Sequence, residues 1–432
     1  MTVVSLYSGC GGLDFGFEAA GCDIALRTDF DKTACATLRL NSPKTVIEAP
    51  IADVSERDLK NALGASLNDV DILVGGPPCQ PFSKSAYWAK GDTLRLNDPR
   101  AATLGHYFRM VEILRPRAFL LENVSGLQFS NKQEGFQFII DCIQKINRSH
   151  GMGYRPVWRV LNAAEYGVPQ SRVRFILIAF RDEREFRFPD PSHGKTNESE
   201  SLFGTNRIPF ATAWDAIGGM EPEPFEQLDV GGRWAELLPS IPEGENYSWH
   251  TDKKGGLPLF GWRTHYWCFL LKLAKRLPSW TIQAQPGSAV GPFHWKNRKL
   301  SWRELAALQT FPASFRISGS RVDVHKQIGN AVPSLLAETL ARAMISQLTK
   351  KQFNETCHLR VFPKNPVPEP EPTLYVPQRF LTLSGNHTPH PGTGKGKAYQ
   401  VGGWLNNVGK EDRGTTMIKK WDRASVLEGL EV

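Results

Sequence analysis

Residues 3–21 read VVSLYSGCGGLDFGFEAAG, and this stretch decides the fold. Its mostly apolar start predicts a buried parallel strand. A glycine turn follows at residues 8–12, and an amphipathic segment then runs to Gly21, where it ends. A strand, a glycine turn and a helix in this order open a nucleotide-binding half-sheet. The turn is not a dinucleotide-binding fingerprint, because Asp14 stands where that fingerprint needs its third glycine.

The same alternation continues along the chain and predicts an α/β fold with a parallel sheet. Apolar runs predict strands at residues 23–28, 45–47, 70–74 and 117–121, and helices at residues 32–40 and 101–114. The second strand ends at Asp29, whose carboxylate suits the two hydroxyls of a ribose. Asp53 could accept a hydrogen bond from an adenine amino group, but a helix cap or a turn explains this residue equally well.

The loop at residues 74–83 reads VGGPPCQPFS and holds Cys79 on a stiff turn after a predicted strand. Two glycines allow the sharp turn and the prolines restrict it. Open α/β sheets bind their ligands at the carboxyl ends of their parallel strands, which is where this loop lies. A free thiol has a pKa of about 8.5, so Cys79 would need cationic neighbours to act as a nucleophile. An isolated cysteine in such a turn is more often a small buried apolar residue.

Three charged residues lie at the end of, or along, the strands predicted after this loop. Glu122 ends the strand predicted at residues 117–121, so it would lie beside the Cys79 loop if the two strands are neighbours, as a candidate proton donor. Arg172 and Arg174 alternate along a strand predicted at residues 172–180, which places both on one face. Two arginines on one strand face are more often solvated than functional.

The composition indicates a basic protein whose cysteines are free thiols. The net charge is +8, which favours a polyanionic partner. Seven scattered cysteines without a Cys-x-x-Cys pair argue against a disulfide scaffold or a zinc site and predict a reducing, cytoplasmic location. No stretch approaches the length of a membrane span, and the start lacks a signal region, so we expect no membrane association.

Residues 186–302 differ from the rest and are called the tryptophan-rich region below. They hold eight of the twelve tryptophans, and residues 253–303 contain ten lysines and arginines but no acidic residue. An uncompensated basic stretch with interleaved aromatics suits phosphate contacts and groove insertion, although some of the aromatics would form a core. We expect a second domain here, with irregular β structure.

Helical periodicity returns after this region. It predicts one helix at residues 302–309 and another that opens at His325, holds Pro333 in its first turn and runs to Leu348. Residues 361–378 read as a proline-rich linker, residues 386–403 as a basic arm and residues 421–430 as a docking helix. The expected domains are residues 1–185 with 303–352, residues 186–302, and an extension at 353–432 of open role.

Six motifs in order resemble the DNA (cytosine-5) methyltransferase family of prokaryotic restriction-modification or phage-defence type. They are Tyr7-Ser8-Gly9-Cys10-Gly11-Gly12, Gly76-Pro77-Pro78-Cys79-Gln80, Glu122-Asn123-Val124, Gln170-x-Arg172-x-Arg174, Arg303-Glu304-Leu305 and Gln327-x-Gly329-Asn330-Ala331-Val332. The resemblance implies a Rossmann-like S-adenosylmethionine-dependent methyltransferase domain with a smaller, irregular, β-rich target-recognition domain. The tail after residue 352 lies outside the resemblance.

The resemblance also implies a covalent mechanism on a cytosine flipped out of double-stranded DNA. The Cys79 thiolate would add to carbon-6 while Glu122 donates a proton or hydrogen bond at ring nitrogen-3. Carbon-5 would then attack the methyl group of S-adenosylmethionine, and loss of its proton with expulsion of Cys79 would restore the ring. Arg172 and Arg174 would hold the cytosine and stabilise the charge of the adduct. Asn123 would steady the Cys79 loop.

By the same resemblance, further residues bind the cofactor and the DNA. The implied S-adenosylmethionine pocket consists of Tyr7, Cys10, Gly12, Asp29, Phe30, Asp53, Val54, Gly76, Pro77, Asn330, Ala331 and Val332. The implied DNA contacts are Ser85 in the loop after Cys79 and the basic residues Arg263, Lys296, Arg298 and Lys299.

The resemblance further implies a monomer on DNA, with a cognate restriction nuclease or defence-system proteins as partners. Three alternatives stay open. A transfer-RNA methyltransferase of the same family would carry a Cys-Phe-Thr signature, which is not found. A catalytically silent DNA-binding regulator would be expected to lack Cys79 or Glu122. A thiol-dependent enzyme on small nucleotides would not need the basic aromatic region. The recognised DNA sequence cannot be read from the chain.

Overall fold

A seven-stranded sheet forms the centre of the computed structural model, which describes residues 1–64, 67–78, 102–125, 133–195, 207–262 and 267–385. The strands lie in the order β3-β2-β1-β4-β5-β8-β6, with β1 to β5 parallel and β8 antiparallel to both of its neighbours. Their bounds are β1 Thr2–Leu6, β2 Asp23–Asp29, β3 Thr45–Glu48, β4 Ile72–Gly75, β5 Ala118–Val124, β6 Arg155–Asn162 and β8 Val173–Phe180; a short β7, Gln170–Ser171, precedes β8. The predicted α/β, Rossmann-like fold is confirmed.

Helices cover both faces of this sheet, because its central strands are apolar on both sides. The helices of this half are α1 Gly12–Ala19, α2 Lys32–Asn41, α3 Glu56–Leu63, α4 Ala102–Leu114 and α5 Gln133–His150. The side chain of Asp31 caps α2 by accepting from the backbone N–H groups of Thr33 and Ala34. Strand β4 is buried throughout.

The C-terminal helices return to this half of the molecule. They are α7 Trp302–Leu308, α8 Arg321–Asn330 and α9 Ser334–Thr349. The single helix predicted from His325 to Leu348 is therefore wrong. Ala331 has an extended backbone, and Pro333 occupies the N-cap position of α9 instead of lying in its first turn. A proline disfavours helical geometry in the residue before it, which accounts for the break. Helix α9 packs so closely on α1 that a Cβ at Gly16 would lie 2.4 Å from the Cβ of Ala337.

The tryptophan-rich region has little regular structure among its described residues. It contains β9 His193–Gly194, β10 Ile208–Pro209, α6 Ala213–Ile217, β11 Ser279–Trp280 and short 3-10 turns. Strand β11 pairs with β7 in parallel, which attaches this region to the sheet half. Its outer core consists of Leu237, Leu238, Ile241, Leu259, Leu270 and Phe293, joined by Phe380 from the C-terminal extension.

The C-terminal extension is described as far as residue 385. The last elements of this described part are α10, Gln378–Leu381, and a turn. The basic arm predicted at residues 386–403 and the docking helix predicted at residues 421–430 lie outside the described residues. Within the described part of the chain, every helix is too short or too polar to cross a lipid bilayer.

Candidate active site

Glu122 and Arg174 form a largely buried ion pair at the carboxyl end of β5. The antiparallel pairing of β5 and β8 sets Val124 opposite Arg174, so Glu122 and Arg174 are diagonal neighbours on one face. Arg174 Nε lies 2.8 Å from Glu122 Oε1, and the two side chains are 15% and 12% exposed. The sheet thus places a carboxyl group and a guanidinium at the edge where α/β folds bind ligands.

Burial gives this carboxyl group unusual acid-base properties. It raises the pKa of Glu122 above the ordinary value of a glutamate, although the nearby charges of Arg174 and Arg172 act in the opposite direction. A carboxyl group with a raised pKa holds its proton at higher pH and is suited to donate it. The site can therefore deliver a proton or a hydrogen bond to an acceptor atom of a ligand.

The segment that leads to Cys79 lies against this carboxyl group. A Cβ on Gly76 would be only 2.7 Å from Glu122 Oε2, so only glycine allows this approach. Asn123 Nδ2 donates to the carbonyl of Pro77 at 3.2 Å, and Thr103 Oγ1 donates to that of Pro78 at 3.0 Å. The predicted neighbourhood of Glu122 and this segment is confirmed by the adjacent strands β4 and β5. Cys79 itself lies outside the described residues.

Arg172 has different partners from Arg174. Its side chain is fully buried and donates to the carbonyls of Ile282 and Gly329, at 3.2 and 2.7 Å. Gln170 contributes to the same junction, because its amide donates to Leu308 and accepts from the N–H of Ile282. The guanidinium of Arg172 thus joins the tryptophan-rich region and α8 to the sheet. The catalytic role implied for Arg172 stays a prediction, and its described contacts are those of a positioning residue.

The implied cofactor residues of the N-terminal half meet at the carboxyl edge of β1 and β2. The Asp29 carboxylate accepts from the N–H of Gly9 at 2.8 Å and from that of Asp31 at 2.9 Å. Phe30, next to it, is 63% exposed. Tyr7 has a positive φ of 54°, and its hydroxyl donates to the carbonyl of Thr103. An aromatic ring in solvent beside a fixed carboxylate is the arrangement that a nucleoside needs.

The C-terminal motif closes on the glycine turn. A Cβ on Gly12 would lie 2.4 Å from the carbonyl oxygen of Val332 and 3.0 Å from the Cβ of Ala331. Cys10 is buried and its Sγ contacts the carbonyl of Gln327 at 3.3 Å. Asn330 is exposed at the end of α8. The fold therefore brings together two implied parts of the pocket that are more than 300 residues apart in the chain.

Asp53 and Val54 are held next to the sheet by a residue that the sequence did not suggest. Arg109 on α4 donates to the carbonyls of Ile51 and Val54, at 2.5 and 3.1 Å. Val54 is buried and Asp53 is exposed. Asp53 lies in a turn, where its N–H donates to the carbonyl of Pro50 at 2.9 Å, and Ser55 rather than Asp53 caps α3. The turn interpretation is therefore confirmed, the helix-cap interpretation is wrong, and the adenine contact stays a prediction.

Two further contacts across the pocket were not predicted. Lys326 on α8 forms an ion pair with Asp31 at 2.6 Å, directly after Asp29 and Phe30. Thr37 Oγ1 on α2 donates to Gln327 Oε1 at 2.7 Å. The partners are 295 and 290 residues apart, and no local pattern could have joined them.

The basic stretch at residues 253–303 is compensated in three dimensions. Acidic residues from other parts of the chain meet most of its cations, so the expected absence of compensation is wrong. The ion pairs are Lys254–Glu245, Lys275–Glu243, Lys275–Glu371, Arg276–Glu369, Lys296–Glu221, Arg298–Glu304 and Arg303–Glu223.

The implied DNA contacts differ in their availability. Arg298 binds Glu304 through both terminal nitrogens, at 2.8 and 2.6 Å, so its guanidinium holds α7 and is not free for a phosphate. Lys296 is exposed, with Glu221 at 3.9 Å. Burial lowers the pKa of the Lys299 ammonium group below its ordinary value, because it disfavours the charged form that a phosphate contact needs. Ser85 and Arg263 lie outside the described residues.

The described cysteines share one electrostatic property. Burial raises the thiol pKa of all six of them above the ordinary value, which makes each a poor nucleophile at neutral pH. They are Cys10, Cys22, Cys35, Cys142, Cys268 and Cys357.

Solved structures similar to this chain have the same fold. A prophage-encoded E. coli protein assigned to the DNA modification methyltransferases has a TM-score of 0.55 and 22% identity, covering 81% of this chain and 99% of that one. A triple mutant of Spodoptera frugiperda DNMT2 has a TM-score of 0.55 and 17% identity, over 80% and 99% of the two chains. At these identities the similarity concerns the fold alone.

Sequence comparison identifies the family. The sequence model of the C-5 cytosine-specific DNA methylases matches residues 1–346. Type II methyltransferase M.SacI of Streptomyces achromogenes is 38% identical over 371 residues, covering 81% of this chain and 93% of that protein. M.NgoFVII of Neisseria gonorrhoeae is 33% identical over 350 residues, covering 79% and 86%. The chain therefore belongs to the C-5 cytosine-specific DNA methylase family.

Proposed function

We propose that this protein methylates carbon-5 of a cytosine flipped out of double-stranded DNA, through a transient covalent bond to Cys79. The observation that carries the proposal is the Glu122–Arg174 pair against residues 76–78, the segment that leads directly to Cys79. Family membership supplies the substrate class and the reaction type. The covalent step is the one that the family resemblance implies, and the chemistry of the residues near Cys79 supports it.

Cys79 is the residue assigned as nucleophile. The six described cysteines are held as neutral thiols by burial, and the chain has seven cysteines. Cys79 directly follows Pro78, whose carbonyl is fixed by Thr103, and Gly76 of the same segment lies against Glu122. Its thiolate forms a bond from sulfur to carbon-6 of the cytosine, and electrons of the carbon-5–carbon-6 double bond shift toward carbon-5 and the ring.

Glu122 and Arg174 act on the ring during this addition. Glu122, whose pKa burial raises above the ordinary glutamate value, donates a proton or hydrogen bond at ring nitrogen-3 and offsets the incoming negative charge. The Arg174 guanidinium, 2.8 Å from the same carboxyl group, holds it in place and stabilises the charge that develops on the ring. After carbon-5 has taken the methyl group, its proton passes to solvent water and the sulfur–carbon-6 bond breaks with sulfur leaving as thiolate. The proton on nitrogen-3 returns to Glu122, and the cytosine ring is restored.

The residues at the edge of β1 and β2 fit S-adenosylmethionine. Asp29 receives one backbone N–H on each oxygen, and lone pairs remain for ribose hydroxyls. Phe30 offers an exposed ring to an adenine, while Gly12, Val332 and the segment of Gly76 and Pro77 border the remaining space. When bound there, S-adenosylmethionine supplies the methyl group.

The cellular role follows from the relatives. M.SacI and M.NgoFVII are named type II methyltransferases, so we propose that this protein protects DNA against a cognate restriction nuclease. Lys296 and Lys299, with Ser85 and Arg263 outside the described residues, are proposed DNA contacts, and the protein is proposed to act as a cytoplasmic monomer. Binding through phosphates predicts an affinity that falls steeply with salt.

Methylation assays with a Cys79→Ser variant test the proposal. The wild-type protein should transfer labelled methyl groups from S-adenosylmethionine to cytosines of mixed-sequence plasmid DNA. The variant should bind the same DNA but transfer nothing, because a hydroxyl is a much weaker nucleophile than a thiolate. Cys357→Ser, at a half-buried cysteine outside the site, is the control and should stay active. A Cys79→Ser variant with substantial turnover would contradict the covalent mechanism.

A further inference from the structure

The C-terminal segment at residues 353–385, called the strap below, lies beyond the residues that the family model matches. The sequence predicts only a proline-rich linker here, at residues 361–378. In the structure it runs from α9 across the tryptophan-rich region and contacts both halves of the molecule along its length.

The strap begins against α9 in the catalytic half. The buried Glu338 carboxylate accepts from the N–H groups of His358 and Leu359, at 2.6 and 2.8 Å. Arg342, which is paired with Glu338, donates to the carbonyl of Glu355 at 2.7 Å. Apolar side chains of this part of the strap pack on the core beneath the sheet. This end is therefore attached to the helix that packs on α1.

The middle of the strap binds charged groups of the tryptophan-rich region. The backbone N–H of Lys364 donates to the Asp215 carboxylate, and its Nζ donates to the carbonyl of Gly218, after the end of α6. Farther along, the almost fully buried Lys275 donates to Glu371 Oε1 at 3.0 Å and to the carbonyl of Glu369 at 2.8 Å. Without the strap, Lys275 would keep Glu243 as its described anionic partner and lose the other two contacts.

The end of the strap completes the outer core of the tryptophan-rich region. The Phe380 ring is stacked on Trp234, with centroids 5.6 Å apart and an interplanar angle of 17°, and is 3% exposed. The backbone of Leu374 donates to the carbonyl of Pro239 and that of Gly385 to Pro258. An aromatic side chain this well buried contributes strongly to the packing of the unit that surrounds it.

We propose that the strap is a positioning element for DNA recognition, in which Phe380 and Glu371 hold the tryptophan-rich region in one orientation against the catalytic sheet. This inference rests on the proposed function, because DNA would bind to both halves. If the strap is loosened, a smaller fraction of molecules is ready to bind DNA, and the apparent affinity falls by that fraction. Chemistry in the bound complex should be unchanged, since the contacts of the strap described above are with α9 and the tryptophan-rich region and not with Glu122 or the cofactor residues Asp29 and Phe30.

The experiment compares full-length Phe380→Ala with Tyr375→Ala, a matched control on the same strap whose side chain is 99% exposed. With plasmid DNA and S-adenosylmethionine, Phe380→Ala should raise KM for DNA by about tenfold while kcat and KM for S-adenosylmethionine stay within about twofold. Tyr375→Ala should match the wild type, and Phe380→Tyr should recover most of the loss. An unchanged KM for DNA in Phe380→Ala, or an equal loss in all three constants, overturns the inference.

A charge exchange keeps the test decisive if Phe380→Ala does not fold. Arg276 and Glu369 form an exposed ion pair at 2.6 Å between the region and the strap. Glu369→Arg should raise KM for DNA by about two- to threefold, and the double variant Arg276→Glu with Glu369→Arg should restore it. Failure of the double variant to restore KM contradicts the strap's role. An inactive wild type would instead contradict the proposed function, so the two failures are distinguishable.

Discussion

Two nearly buried ion pairs, one in each half of the molecule, show how differently the halves are organised. Glu122 and Arg174 come from adjacent strands of the sheet and lie beside the segment before Cys79. Lys275 and Glu243, 2% and 5% exposed, come from irregular segments, and their third member Glu371 belongs to the strap. The first pair has a carboxyl group poised to donate a proton. In the second, one buried ammonium group lies between two carboxylates, an arrangement that suits a structural role.

The comparison predicts that the first pair matters for catalysis and the second for stability. The largest expected effect is that of Glu122→Gln, which removes the proton and should lower kcat by about 100- to 10,000-fold. The melting temperature should fall less than in Lys275→Met, since glutamine keeps the shape and can accept from Arg174, although this guanidinium loses its counter-charge. Steady-state methylation and thermal unfolding of the same preparation measure both. A variant with full activity would remove Glu122 from the chemistry.

The second pair should give the reverse result. Lys275→Met leaves Glu243 buried without its cation and should lower the free energy of unfolding by about 3–5 kcal/mol. Molecules that remain folded at low temperature should keep kcat. The double variant Lys275→Met with Glu243→Gln, which removes both charges, is the control and should recover much of the loss in denaturant titrations. A stable Lys275→Met variant with reduced kcat would contradict the comparison.

The pH profile sharpens the assignment of the first pair. Because burial raises the pKa of Glu122, its protonated form persists above the ordinary glutamate value and is lost as pH rises through the raised pKa. At higher pH, kcat should fall by up to about tenfold per pH unit, while the opposite limb follows formation of the Cys79 thiolate. The residual activity of Glu122→Gln should lack the alkaline fall. The same limb in both proteins would assign it to another group.

The smallest expected effect concerns Lys326, whose ion pair with Asp31 spans the cofactor edge. Both side chains are partly exposed, at 39% and 24%, so solvent screens the pair. Lys326→Met should raise KM for S-adenosylmethionine by about two- to fivefold and leave kcat unchanged. Lys60→Met, which breaks the exposed pair with Glu56 on α3, is the matched control and should have no effect. A loss of kcat instead of a rise in KM would contradict a positioning role.

The sheet and the first pair could be predicted from sequence because the signals are local. Apolar runs gave strand positions within a few residues, and adjacent parallel strands placed Glu122 beside the Cys79 loop. The break between α8 and α9 was missed although Pro333 carried the signal, since proline restricts the residue before it. The rule that would have predicted this break is local and could have been applied to the sequence.

Most of the remaining contacts could not be predicted, because they join parts of the chain that are distant in sequence; Lys254–Glu245 and Arg298–Glu304 are the short-range exceptions. The acids that neutralise the basic stretch lie at residues 221–245, at Glu304 and at residues 369–371. Arg172 donates to two backbone carbonyls, which have no sequence signature. The strap has the composition of a linker, and only its partners show that it is part of a core.

Trapping with a duplex that contains 5-fluorocytosine tests the central claim most directly. Fluorine at carbon-5 cannot leave as a proton does, so the bond from Cys79 to carbon-6 should persist after methyl transfer. With S-adenosylmethionine present, intact-mass measurement should find a protein–DNA adduct, and peptide mapping should place it on Cys79. Cys79→Ser should form none. A wild-type protein that methylates ordinary cytosine but never forms this adduct, or forms it at another residue, would contradict the account.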